Sequence, residues 1–501
     1  EHEGGHTPFA ADITSVLRAA GDQVVTVRAE DRPEDLEQPR GKQDWEREPH
    51  GIWYGRTSGI WQPVWLEEVS ANRIDQLHWT PDVATSRLGV QVRLHRVDGR
   101  PLRLRVRLSL HGEAVADDTY AIPGDELHRE LTWPTTASFA GRDRVLWAPE
   151  HPNLIDAAVE LLDGDVVVDR VGSYTAMRSC SADGGHFLLN GRPYYLRLAL
   201  EQGFWPDSHL AAPDEAALRA EVRLARSLGF NGLRLHQHVA DPRFLAECDR
   251  QGLLVWAEMP AAYAFSERTV GRLTREWLEV VERDRSHPCV IAWVPFNESW
   301  GVAAVSTSAP QQHLVRALYS LTKALDPTRP VVGNDGWEQV VTDILTVHDY
   351  SASGDTFRAR YGSPEALDRT LSTVQPIYRP VLVPGTVREQ QPVMITEFGG
   401  MTLGVDAERW NWYGAVPDAA TFVAHYRSLV DALLDSPAVA GFCYTQLTDT
   451  GQERNGLVTE RREPKVDPEQ IRAINQRTSA AVPADAIGAF TDGDYPVPLE
   501  S

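Results

Sequence analysis

Between residues 88 and 108 apolar and polar positions alternate one for one. Leu88-Gly89-Val90-Gln91-Val92-Arg93-Leu94 is followed by Leu102-Arg103-Leu104-Arg105-Val106-Arg107-Leu108. A period of two sends successive side chains to opposite faces, which predicts half-buried strands. Asp98-Gly99 between these runs predicts a tight hairpin, and Asp163-Gly164 does the same between 159–162 and 166–168. Short strands without helices over 69–180 predict a compact antiparallel sandwich. Upstream, 24–27 and 64–69 read as further strands, and no amphipathic helix exceeds two turns. Residues 1–68 are therefore expected to be part of another β-sandwich with some strands absent.

From about residue 186 short apolar runs alternate with stretches of period 3.6, the pattern of parallel βαβ units. Strands are predicted at 194–199, 232–236, 253–257, 290–295, 331–334, 345–349, 393–396 and 439–444. Helices are predicted at 214–228, 242–251, 272–285, 311–325 and 421–434, the first two ending at Gly229 and Gly252. Eight strands over some 290 residues suit a (β/α)8 TIM barrel across 181–481. An open doubly wound sheet is the rival, but no glycine-rich phosphate loop follows the first strand. The Pro-, Asp- and Gly-rich 482–501 reads as a surface tail.

Composition narrows the function classes. The formal net charge of −22 opposes phosphate backbones and anionic lipids, so neither nucleic acid nor membrane is an expected partner. Lysine occurs only at Lys42, Lys323 and Lys465. The four cysteines, Cys180, Cys248, Cys289 and Cys443, are far apart, so neither a disulfide framework nor a zinc site is expected. No apolar run is long enough for a membrane helix. No signal peptide opens the chain, and cytoplasmic location is expected over secretion. The opening Glu1-His2-Glu3-Gly4-Gly5-His6 reads like the middle of a β domain, so an N-terminal piece is expected to be missing.

In a barrel, reactive groups sit at the C-terminal ends of strands. The fourth predicted strand runs into Asn297-Glu298-Ser299-Trp300-Gly301, and the seventh into Thr396-Glu397-Phe398-Gly399-Gly400. Two glutamates at opposed strand ends suit glycoside cleavage, one protonating the leaving oxygen and the other attacking the anomeric carbon. A retaining pair stands ~5–5.5 Å apart, where repulsion lets one member keep its proton near neutrality. Aromatic residues cluster near the strand ends: Trp205, Trp256, Trp300, Trp337, Trp410, Trp412 and Tyr444. Such rings stack on sugar C–H faces, with Trp300 and Trp337 the preferred candidates.

The two glutamate segments resemble glycoside hydrolase family 2, which includes β-galactosidases, β-glucuronidases and β-mannosidases. His2-Glu3-Gly4-Gly5-His6-Thr7-Pro8-Phe9 and Thr57-Ser58-Gly59-Ile60-Trp61-Gln62-Pro63-Val64-Trp65-Leu66-Glu67 resemble that family's sugar-binding jelly-roll. The resemblance implies a partial jelly-roll (1–68), an immunoglobulin-like β-sandwich (69–180) and the catalytic barrel (181–481). It implies Glu298 as acid/base and Glu397 as nucleophile, with Asn297 on the sugar 2-hydroxyl. Arg234 would hold the nucleophile ionised and Tyr350 would donate to it. His348 reads equally as a pocket residue or a structural histidine. Asp207, Glu258, Tyr444 and Gln446 are further candidate sugar contacts. Metal-dependent β-galactosidases exist in the family, but the sequence offers no convincing ligand cluster, and neither metal nor cofactor is expected.

Departures from the family pattern bear on the sugar. His236-Gln237-His238 continues strand two, where many relatives carry a Ser-His-Tyr-Pro-like run. Glu201-Gln202-Gly203-Phe204-Trp205 continues strand one in place of Asn-Arg-His-Glu. Asn455 is followed by Gly456-Leu457, lacking the lysine of the glucuronidase Asn-x-Lys pair. The expected activity is hydrolysis of a terminal β-glycoside, small or oligosaccharide, with β-galactoside as first choice. β-Glucuronide, β-galacturonide, β-mannoside, galactofuranoside and arabinopyranoside remain alternatives. A carbohydrate-binding or inactive homologue is the non-enzyme alternative. Homo-oligomerisation is left open.

Overall fold

The computed structural model describes residues 1–132, 144–404 and 413–483. Seven strands form the sandwich: β1 (Arg73–Asp82), β2 (Arg87–His95), β3 (Leu102–Leu110), β4 (Glu113–Ile122), β5 (Glu126–Thr132), β6 (Ile155–Asp163) and β7 (Val166–Thr175). They make two antiparallel sheets, β1-β2-β5 and β4-β3-β6-β7, in an immunoglobulin-like arrangement. In β3 every second residue is buried, as its alternation demands. Leu88, Val90 and Val92 of β2 meet Leu104, Val106 and Leu108 of β3 in one core.

That packing corrects one expectation. β2 and β3 lie in different sheets, so Asp98-Gly99 carries the chain across the sandwich instead of closing a hairpin. Both strands present a continuous apolar face, and burying those faces against each other outweighs pairing edge to edge. Asp163-Gly164 does close a hairpin, with Asp163 opposite Val166.

The barrel strands are Leu196–Glu201, Gly232–Leu235, Leu254–Glu258, Val290–Val294, Leu345–His348, Val393–Glu397 and Gly441–Tyr444. All pair in parallel, in the spatial order fourth, third, second, first, eighth, seventh, sixth. Residues 331–335 fill the remaining place between fourth and sixth. Val331 bridges Trp293 and Asp335 bridges Asn297, while the His348 N–H reaches the Gly336 carbonyl at 3.3 Å. Only two apolar residues stand between Pro330 and Gly333, too few to sustain a full ladder. The strand expected at 331–334 is thus a pair of bridges in the right place.

The five expected helices form at Glu215–Ser227, Pro242–Gln251, Glu267–Asp284, Ala309–Leu325 and Ala419–Leu434. Asp214, Asp241, Ser266 and Asp418 cap four of them by accepting backbone N–H bonds. Helices Gly354–Tyr361, Pro364–Thr373 and Pro468–Asn475 add to the pattern read from sequence. All four cysteines are free and buried. No described helix is long and apolar enough to cross a membrane.

Residues 1–72 depart most from expectation. Among them the structure has no strand, only a 3-10 turn at Thr14–Val16 and an isolated bridge between Gln43 and Tyr54. The runs at 24–27 and 64–69 find no partner strand, and Val24, Val25 and Val64 are exposed. A strand without a partner leaves its backbone groups to solvent and gains nothing from extension. Part of the segment nevertheless docks on the barrel. The Arg40 and Gly41 N–H groups donate to the Ala261 carbonyl, Arg272 pairs with Asp35 at 2.9 Å, and Gln62 reaches the Val239 carbonyl at 2.9 Å. On the sandwich side, the Tyr174 hydroxyl of β7 donates to Asp249 at 2.7 Å.

Candidate active site

The barrel strands converge at their C-terminal ends on one buried charge network. Arg234 and Leu235 end the second strand, Glu258 the third, His348 the sixth and Glu397 the seventh. Arg234 is fully buried and is the hub. Its Nη1 donates to Glu397 Oε1 at 2.8 Å and its Nε to Glu258 Oε2 at 2.9 Å, with Asp335 Oδ2 3.0 Å from Nε. Its Nη2 donates to Asn297 Oδ1 at 2.6 Å. A guanidinium removed from water needs such saturation, since an uncompensated buried charge costs several kcal/mol.

Glu298 follows the fourth strand in a left-handed conformation, φ 52°, as does Ser299 at 60°. For residues other than glycine this costs roughly 1–3 kcal/mol and needs outside support. The support comes from the fifth-strand bridges. The Glu298 N–H donates to the Asp335 carbonyl at 3.0 Å, the Ser299 N–H to Asn334 Oδ1 at 3.0 Å, and Ser299 Oγ to Glu338 at 2.6 Å. The turn brings Glu298 Oε1 to 2.8 Å from His348 Nδ1. One oxygen of Glu298, one of Glu397 and a ring nitrogen of His348 all lie within 4.8 Å of one another.

The charges fix each other's protonation. Burial raises the Glu397 carboxyl, but His348 and Arg234 outweigh it and, with the Tyr350 hydroxyl donating at 2.6 Å, bring it down to about 2. Burial depresses His348, yet the Glu397 charge and contacts with Asp335 and Glu298 lift it to about 10. Burial also raises Asp335, and Arg234 and His348 overcome it, holding that carboxyl well below its ordinary range. Glu258 goes the other way: burial with the Asp335 and Glu397 charges exceeds the pull of Arg234 and lifts it to about 7.

A stability prediction follows from His348. Its folded value lies above the unfolded 6.5, so its contribution is fully present below about pH 6.5 and is lost as pH rises through about 10. The stability gap between the wild type and His348→Asn should be widest below pH 6.5 and narrow toward pH 10. Urea melts across that range test this, and a gap independent of pH would contradict it.

Among the described residues two clusters have the spacing of metal ligands. In Glu298-His348-Glu397 the His348 Nδ1 stands 2.8 Å from Glu298 Oε1 and 3.5 Å from Glu397 Oε2. In Asp249-His287-Cys289 the aspartate already binds His287 Nδ1 at 2.5 Å and the Cys289 N–H at 2.8 Å. That cluster, with Tyr174, ties the sandwich to the barrel.

The structure brings Arg234, Glu258, Asn297, Glu298, His348, Tyr350 and Glu397 together. Trp300 and Trp337 flank them. Trp300 packs on Trp53 at 5.6 Å and Tyr263 at 5.1 Å between ring centres. Trp337 stands edge-on to His348 at 5.5 Å and carries Arg379 on its ring. Asn297 Nδ2 and the indole N–H groups of Trp300 and Trp337 have no hydrogen-bond partner among the described residues.

Three candidates have other neighbours. Asp207 is 85% exposed at its side chain and, among the described residues, pairs with Arg461 at 3.9 Å. Tyr444 packs among Phe398, Tyr426 and the Gly399 backbone inside the barrel. Gln446, two residues beyond the eighth strand, accepts from Gln202 at 2.9 Å and donates to Asn455 at 2.7 Å. Trp256 is core, and Trp205 lies under Arg462 at 3.6 Å. Trp410 and Trp412 lie outside the described residues.

Asp335 stands one residue beyond the fifth predicted strand, in the turn Asn334-Asp335-Gly336, which is its only local signal. Trp53, Tyr54 and Lys42 were missed because nothing local shows residues 40–54 folding over the barrel mouth. Glu453 lies beyond the eighth strand, outside any strand-end reading.

A barrel with paired carboxylates at the ends of strands four and seven defines a class of carbohydrate-active proteins, and sequence comparison agrees. The profile of "Glycosyl hydrolases family 2, TIM barrel domain" matches residues 181–473, and that of "Glycosyl hydrolases family 2" matches 72–178. The chain belongs to glycoside hydrolase family 2. It is similar to a β-galactosidase of Thermoanaerobacter pseudethanolicus, 25% identical over 70% of this chain and 45% of that one. It is also similar to the β-glucuronidase of Rattus norvegicus, 29% identical over 70% and 56%. The chain thus spans about half the length of the curated relatives it matches. Among solved structures, the β-galacturonidase of Eisenbergiella tayi bound to galacturonate aligns with a TM-score of 0.64 at 19% identity, covering 82% of this chain and 73% of that one. A Bacteroides uniformis β-glucuronidase bound covalently to cyclophellitol-6-carboxylate aziridine aligns at 0.66 and 18%, covering 82% and 52%. At such identities these structures speak to fold.

Proposed function

We propose that the protein hydrolyses terminal β-glycosides with retention of configuration, Glu397 acting as nucleophile and Glu298 as acid/base. The observation that carries this reading is the approach of the two carboxylates within 4.8 Å across the barrel mouth. Retaining enzymes hold their pair ~5–5.5 Å apart, whereas inverting enzymes leave ~6.5–9.5 Å for a water. The two environments also suit different tasks. Glu397 is buried, held ionised near 2, and bound by Arg234 and Tyr350 on separate oxygens. Glu298 lies on a strained turn and is partly exposed, with a side chain 14% accessible.

In the first step Glu397 attacks the anomeric carbon while Glu298 protonates the departing oxygen, leaving a glycosyl ester on Glu397. Once Glu397 is esterified, its negative charge is gone. Glu298 then takes a proton from water, which attacks the same carbon and releases the sugar with its original configuration. Asn297, whose Oδ1 is fixed by Arg234, offers its Nδ2 to the sugar 2-hydroxyl, a bond that strengthens in the transition state. The substrate we favour is a β-galactoside. Proton NMR on a nitrophenyl β-glycoside should show the β anomer of the released sugar first, with the α anomer appearing by mutarotation. First release of the α anomer would overturn the double displacement.

A further inference from the structure

The chain has three lysines, and two are neutralised: Lys323 by Asp343 and Lys465 by Asp449, each at 2.5 Å. Lys42 is not. It is 6% exposed, and its ammonium makes no ion pair or hydrogen bond among the described residues; its one close contact is the Tyr54 ring, centred 5.8 Å away. A buried ammonium with three unused donors is costly in a finished core and useful where a ligand completes it.

Its place is built with care. Lys42 sits on the docked N-terminal segment, where the Gly41 backbone approaches so closely that a Cβ there would lie 2.1 Å from the Gln237 carbonyl. The Gly41 carbonyl accepts from Tyr263 at 2.8 Å, and the Lys42 carbonyl accepts the Tyr54 N–H at 2.8 Å. The Tyr54 hydroxyl donates to Glu453, which is 4% exposed. Burial lifts the Glu453 carboxyl to about 7, with the Glu397 and Glu298 charges adding to the rise against the pull of Lys42 and the Tyr54 hydroxyl. Gly41 lies against Gln237, whose N–H donates to Glu258 at 3.2 Å, and Trp53 packs on Trp300, so Lys42 and the Tyr54–Glu453 pair stand at the mouth that holds the two candidate catalytic carboxylates.

We propose that Lys42 and Glu453 form the subsite that selects a neutral sugar, the ammonium donating to a ring hydroxyl and the carboxylate accepting from one. This rests on the glycosidase reading above and narrows its substrate class. A hydroxyl donates and accepts at once, which matches a cation and a carboxylate that do not bind each other directly. A sugar carboxylate would only accept and has no proton to give to Glu453. Among the described residues the neighbouring cations are already engaged: Arg462 pairs with Glu221, Arg454 with Glu460 at 3.1 Å, and Arg40, whose Nε has no partner, donates from its other two nitrogens to the Asp35 and Asp44 carbonyls. Arg234 and His348 are consumed by the acidic network.

The test is calorimetric titration of the whole chain with galactose, glucose and mannose, and with glucuronate and galacturonate, beside hydrolysis of the matching nitrophenyl β-glycosides. Wild type should bind at least one neutral sugar tenfold or more tightly than either uronate. Lys42→Ala and Glu453→Gln should each weaken that binding tenfold or more, the second variant guarding against misfolding of the first. Tighter binding of a uronate, no binding of any neutral sugar, or neutral-sugar binding untouched in either folded variant would overturn the proposal. Neutral-sugar binding with the expected losses but no turnover of any glycoside would overturn the hydrolase reading and leave the subsite standing.

Discussion

Glu397→Ala should lose about 10⁴-fold or more in kcat on every nitrophenyl β-glycoside, the scale on which removal of a covalent nucleophile acts. Azide should then restore turnover. The deletion opens a space beside Arg234 Nη1 and the Tyr350 hydroxyl, both of which bind the Glu397 oxygens in the intact protein. An anion placed there attacks the anomeric carbon from the face Glu397 occupied, so the product should be the α-glycosyl azide. Because no ester forms on the protein, one displacement replaces two and the configuration inverts. Stereochemistry separates this outcome from simple damage to the fold. A variant that keeps wild-type turnover, or that yields the β-azide, would remove Glu397 from the nucleophile's role.

Glu298→Ala should show a different dependence on leaving group. General acid catalysis is worth about 10²–10⁴-fold, and it matters most when the departing oxygen is basic. Glycosides of alkyl alcohols should therefore lose that full factor. Dinitrophenyl glycosides, whose leaving group needs no proton, should keep a near-normal first step and then accumulate the glycosyl ester, because the second step lacks its base. Azide should relieve that block and give the β-azide, attacking from the side that Glu298 faced. The measurement is a plot of log kcat/KM against leaving-group pKa, steep in the variant and shallow in wild type. Equal losses on both kinds of glycoside would point to a positioning role in place of proton transfer.

Much of this was legible in the chain. Alternation over 88–108 and the switch to period 3.6 after 186 are local consequences of how strands and helices bury one face, so both architectures could be read without coordinates. The two glutamates were legible for the same reason: each stands where an apolar strand ends, and barrel geometry sends all such ends to one place. The roles of Arg234, Asn297 and Tyr350 came instead from the resemblance to the family, with Glu258 and His348 as further candidates.

What escaped the sequence depends on contacts between remote segments. Alternation says which side of β2 and β3 is buried but not whether they pair or face each other, and the core chose facing. Tyr444 also ends a strand, yet Phe398 and Tyr426 hold its ring in packing inside the barrel. Asp335, Lys42 and Glu453 show the limit most clearly, since nothing near any of them in the chain reveals its partner. The hydrophobic period set the elements because it is a property of neighbouring residues. Which charges end up paired, and which buried ammonium is left without a partner, was decided only when the tertiary structure removed them from water together.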